Sequence, residues 1–129
     1  MLKGIQPERM FSESAEEKFG NSLAAQVLKI LALLAQTNRE VSAARREFIQ
    51  SFYGHLYPGD IAVYFVEQFE LFAQEPQDLG SVCAILNERL SYQEKIFCLI
   101  IAYEFIQAEK LASVERRLVR AMGKMLGVG

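Results

Sequence analysis

The stretch S-Y-Q-E-K-I-F-C-L-I-I-A-Y-E-F-I-Q, from Ser91 to Gln107, decides the fold class. It opens on Ser91-x-x-Glu94, a capping box, in which each side chain takes up an amide donor that a helix start leaves free. From Ile96 to Ile106 every residue except Glu104 is apolar, so the pattern reserves no face for water. A helix of that kind belongs inside a bundle with other helices around it, and Ile100 is read as one of its core residues. The apolar run is too short for a bilayer span, which takes about 20 residues, and Glu94, Lys95 and Glu104 flank or interrupt it.

On either side of this stretch the chain reads as further helices. Upstream, Val82, Ile85, Leu86 and Leu90 recur at helical spacing from about Leu79 to Leu90. Downstream, Val114, Leu118, Ala121, Met122 and Met125 form the apolar side of a last helix, with Gly127 as its C-terminal punctuation. Asp60 opens a helix that Pro76 ends, with Ile61, Phe65, Phe69 and Phe72 as its inward row. Ser42 is a candidate N-cap for the helix carrying Phe48, Ile49, Phe52, Tyr53 and Leu56, which stops at Tyr57-Pro58-Gly59. A first helix follows the capping box Ser14-x-x-Glu17 and runs to about Gln36. No segment alternates at period two for long enough to be a strand.

The expected fold is therefore all-α, a compact bundle of about six helices in one domain. Residues 1–12 read as a flexible leader and 13–129 as the helical domain. There is also an internal repeat: residues 31–53 and 101–123 share a layout of apolar helix, polar turn and amphipathic helix. A shift of 70 superposes Val41 on Leu111, Phe48 on Leu118 and Phe52 on Met122. Two such hairpins, pseudo-repeated around a buried central helix at 91–107, would bury both apolar faces together.

Composition limits the functional classes. Fourteen basic and sixteen acidic residues give a net charge of −2, so no global field would draw in nucleic acid or an anionic membrane. Fourteen of the acids are Glu, which favours helix over the Asp-rich loops of metal sites. His55 is the only histidine, which removes His-dependent triads and most zinc sites. Cys83 and Cys98 stand in apolar runs and read as buried thiols, with a disulfide as the alternative. No secretory signal precedes the domain, so a cytoplasmic location is expected.

The two turn regions carry a resemblance. A-Q-T-N-R-E-V-S-A-A-R-R-E-F-I (35–49) and F-I-Q-A-E-K-L-A-S-V-E-R-R-L-V (105–119) are similar to the twice-repeated motif of the TerB-like domain, named for tellurite-resistance proteins. The same layout resembles the N-terminal domain of a membrane-anchored DnaJ-type co-chaperone. The resemblance covers roughly residues 23–127. The run from Ser81 to Ile100 is also similar to TerB-like domains that begin larger bacterial proteins of ATP-binding-cassette type.

What the resemblance implies is a helical interaction or sensory module whose turn acids hold a divalent cation. Here that motif is degenerate: Asn38 and Arg39 replace its Asp-Gly, Arg45 replaces its first Glu, and Ala108 and Glu109 stand in the second turn. Only Glu115 is kept.

The expected function is a non-catalytic module, with no cofactor, presenting a helix surface to a protein partner, an adjacent domain or a second copy. Membrane contact would come only through a larger chain. The candidate surface residues are Val63, Val66, Glu67 and Glu70 on the third helix and the row Arg116, Arg120 and Lys124 on the last. The alternative is a divalent-cation site built from Glu67, Glu70, Glu109 and Glu115. Fourteen aromatic residues, nine of them Phe, either fill the core or leave an apolar interface.

Overall fold

Local capping sets where the helices start and stop. The computed structural model describes residues 23–36, 43–57, 59–107 and 113–128. The leader, the Ser14–Glu17 capping box, Ser42, both polar turns and Glu109 lie outside the described residues. Among the described residues there are six helices: α1 (Leu23–Ala35), α2 (Ala43–Gly54), α3 (Gly59–Gln74), α4 (Leu79–Arg89), α5 (Tyr92–Gln107) and α6 (Ser113–Met125). Among the described residues there is no strand. The fold is an all-α bundle, as the periodicity requires.

The capping box of α5 forms reciprocally. The Ser91 amide donates to Glu94 Oε1 at 2.9 Å, and the Glu94 amide donates to Ser91 Oγ at 3.2 Å. Asp78 is the N-cap of α4, in extended backbone, accepting from the Gly80 amide at 3.3 Å. The Ser81 hydroxyl also donates to it, and chiefly for that reason its carboxyl is held below the usual aspartate value. Asp60, expected as a cap, lies inside the first turn of α3, where a negative charge still favours the helix. At the end of α6, Gly127 takes φ +73°. Its amide donates to Lys124 O, and the Val128 amide to Gly123 O. That pair of bonds is a Schellman motif, and the left-handed backbone is why glycine stands there.

The innermost helix is α1. Eleven of its thirteen residues are buried, and it packs against α3, α4 and α5. Ala24, Ala25, Ala32 and Ala35 let neighbouring helices come close, while Val27, Leu28, Ile30, Leu31 and Leu34 fill the space between them. Burial of each such aliphatic side chain is worth about 1.5–3 kcal/mol.

Helix α5 behaves differently from its apolar pattern. Cys98, Ile101, Ala102, Phe105 and Ile106 enter the core. Ile100, expected inside, is 39% exposed, and Tyr92 and Tyr103 also face outward. The helix is apolar on two faces because one is core and the other surface.

Among the described residues four rings are fully buried, and Phe48, Phe52, Tyr57, Phe72 and Phe97 pack partly against the core. Tyr53, Phe65, Phe69 and Phe105 are buried. Tyr53 stacks on Phe65 with centroids 4.3 Å apart, and Phe105 meets Phe48 and Phe69 edge to face at 5.4 and 5.9 Å. The Tyr53 hydroxyl donates to Ala24 O at 2.8 Å, joining α2 to α1, and burial raises its pKa. Gln36 ties the end of α1 to the end of α3 by donating to Phe72 O and Glu75 O. Asn87 of α4 donates to Met125 O at 2.8 Å, satisfying a carbonyl at the end of α6. Both cysteines are free, buried thiols, so the disulfide alternative is not realised.

Candidate interaction surfaces

Three features stand out once the helices are in place: a buried ion pair, an outward face on α3 and a groove between α5 and α6. The pair is Arg45 of α2 with Glu115 in the first turn of α6, Nη2 to Oε1 at 2.5 Å. The two residues are 1% and 0% exposed. The guanidinium carbon also lies 4.6 Å from the centroid of the Phe105 ring, a cation–π contact in a desolvated setting.

Residues 45 and 115 are 70 apart, the shift that equates the two halves of the internal repeat. The pair thus joins equivalent points of the two halves. Glu115 Oε2 accepts no hydrogen bond from the described residues. A buried charge pair of this kind is costly to break from one side, at about 3–5 kcal/mol, because the remaining ion keeps its desolvation penalty. Its place is structural: both side chains are out of solvent, and Arg45 already supplies the positive charge facing Glu115.

On α3 the inward row is Ala62, Phe65 and Phe69 rather than one beginning at Ile61, which is exposed. Val63 is 46% exposed, as a surface residue should be, while Val66 packs partly against the core. Val66 therefore belongs mainly to the core margin. Tyr64 and Leu71 are exposed as well, and Glu67 lies between them on the same stripe. Glu70 is engaged: Arg46 of α2 donates to it at 2.5 Å, in a pair open to solvent. Such a pair is worth roughly 0–1 kcal/mol.

Of the expected metal acids, the three described, Glu67, Glu70 and Glu115, do not form one cluster. Glu115 is buried against Arg45, Glu70 holds Arg46, and Glu67 faces solvent. Among the described residues no group of three or more His, Cys, Asp or Glu is placed to hold an ion. His55 is exposed just beyond α2.

The groove has no counterpart in the sequence reading. Leu99 and Tyr103 of α5 form one wall, and Val119, Arg120, Gly123 and Lys124 of α6 form the other, around about 160 Å³ of half-open space. Its lining is almost wholly carbon, including the stems of the two cations. Arg116, Arg120 and Lys124 are all exposed and stack one turn apart, as their spacing implies. The missed signal is the spacing of Tyr92, Ile96, Leu99, Ile100 and Tyr103, a second apolar stripe on a helix whose first stripe is core.

No helix among the described residues is long and apolar enough to cross a membrane. Comparison with family models, with curated proteins and with solved structures finds no match to this chain.

Proposed function

We propose that this chain is a non-catalytic interaction module of TerB-like type that presents helix faces to another domain or protein. The observation that carries the reading is the set of large apolar side chains left outward on two helices. Val63, Tyr64 and Leu71 stand out on α3, and Tyr92, Ile100 and Tyr103 on α5. The bundle's own core does not use them, and clustered outward apolar groups rimmed by charge are the composition of docking surfaces. The contact between positions 45 and 115 supports the family layout, since a twofold-repeated domain brings equivalent positions together. Free, buried thiols at Cys83 and Cys98 accord with a reducing, cytoplasmic setting.

A photo-crosslinking amino acid placed at position 63 or 100 in cells tests the reading. A discrete cross-linked product is expected at both positions, and none at position 50, an exposed polar site on α2. Equal, diffuse labelling at all three positions would remove the proposal.

A further inference from the structure

The outward stripe of α3 and the α5–α6 groove carry opposite charge around apolar centres, and we infer that they are the two halves of one contact, made between copies of this chain. The inference rests on the interaction-module reading and names its partner. On α3, Leu71 is 50% exposed and stands four residues after Glu67 and four before Glu75, which lies just past the helix end, both exposed. On α6, Arg120 stands four residues from Arg116 and four from Lys124, and all three are exposed. At 1.5 Å per residue the Arg116–Lys124 pair spans about 12 Å, and Glu67 to Glu75, one residue past the end of α3, covers a similar length. The two patterns therefore match in length, with an aliphatic side chain at the midpoint of one and a groove beside the midpoint of the other.

The groove also fits that side chain in size. Its space of about 160 Å³ is close to the cavity of about 150 Å³ that admits a benzene ring. One leucine-sized group fills it, and a whole helix does not. Leu99, Tyr103 and Val119 would then meet Leu71, while the carboxylates of Glu67 and Glu75 reach the cations on the rim. Glu70 takes no part, because Arg46 holds it.

The two surfaces are on different helices, so the contact is heterologous: one copy's α3 enters the next copy's groove. That distinguishes it from a symmetric pairing of two α3 faces. It also predicts that two defective variants complement each other.

The test is sedimentation velocity of the intact chain, over concentrations bracketing dissociation constants from about 1 μM to about 1 mM. Wild type is expected to sediment faster as concentration rises, and less so in about 1 M salt, where charge interactions are screened within about 3 Å. Glu67→Arg/Glu75→Arg and Arg116→Glu/Lys124→Glu should each associate at least about tenfold more weakly, since two attractive pairs become repulsive. All four sites are exposed, so unchanged circular dichroism melts are expected. Leu71→Ala keeps every charge and should weaken association as well.

Mixing the two charge variants should restore association, because one supplies a native stripe and the other a native groove, and the two reversed surfaces are again opposite in charge. A wild-type monomer at every concentration overturns the inference. So does a groove variant that associates like wild type, which assigns the contact to α3 alone. If the monomer still cross-links to a different polypeptide through position 63 or 100, the second copy falls and the interaction module stands. If neither position cross-links, both fall.

Discussion

Replacing Arg45 by methionine removes the positive charge from a site where Glu115 has no access to water. The acid is 0% exposed and its Oε2 accepts nothing from the described residues, so its charge would be left uncompensated. The expected loss is about 3–5 kcal/mol. A thioether on the Phe105 ring would recover only part of the cation–π contribution, which is about 2 kcal/mol in a desolvated site. Against a total stability of about 5–15 kcal/mol for a domain of this kind, the loss is a large fraction.

In urea, where small proteins lose about 1–3 kcal/mol per molar, the midpoint should fall by roughly 2 M. Glu115→Leu should also destabilise, since it takes away the carboxylate that Arg45 faces in the core. The two together should return to near wild type, because a buried ion pair replaced by apolar groups of similar volume is often neutral or stabilising by about 1–4 kcal/mol. The reasoning fails if either single change costs less than about 1 kcal/mol, or if the double variant loses the sum of the singles.

Other outcomes follow from single residues. Gly127→Ala forces a Cβ into left-handed backbone at φ +73° and should cost about 1 kcal/mol, visible as a lower melting temperature. An unchanged melt would mean that the last turn frays without consequence. Asp78 carries a lowered pKa, so its contribution is present above the unfolded value of 3.8 and is lost as pH falls through the folded one. Asp78→Asn keeps a capping side chain and should flatten the stability profile below that value; a profile parallel to wild type would count against the cap. Burial pushes the Cys83 thiol up to about 11 and Cys98 to about 12. Both should resist alkylation at about pH 8 in the folded protein and react in urea, whereas rapid labelling of the native chain would contradict their placement.

Features that depend on residues three or four apart were legible in the sequence. The Ser91–Glu94 box and the Gly127 stop are of this kind, since their partners are fixed by helix geometry alone. So are the helices themselves. Depth of burial was less legible. Both α1 and α5 are strongly apolar, and nothing local says which has neighbours on every side. The alanines of α1 look mild on a hydropathy scale, yet they are what lets three helices close on it. Ile100 sits in a run that is apolar throughout, and only the assembled bundle shows that this turn faces out.

The ion pair was half legible. The repeat placed residues 45 and 115 at equivalent positions, and Arg45 stood out as a departure from an acidic pattern. That the two side chains meet depends on how α2 and α6 dock, which no spacing along the chain encodes. On the candidate surface, Val63 and the α6 cations stand outward, as their spacing implies. Val66 also packs partly against the core and Glu70 pairs with Arg46, which the spacing along α3 does not encode because those neighbours belong to other helices.

The central claim is that the outward apolar side chains of α3 and α5 are kept for contact and not for folding. Equilibrium unfolding of the Val63→Lys/Ile100→Lys variant tests it most directly. The account predicts a stability within about 0.5 kcal/mol of wild type, as at ordinary surface positions. A loss of about 2–5 kcal/mol, the range for aliphatic residues cut from a core, would contradict it and return both residues to the interior.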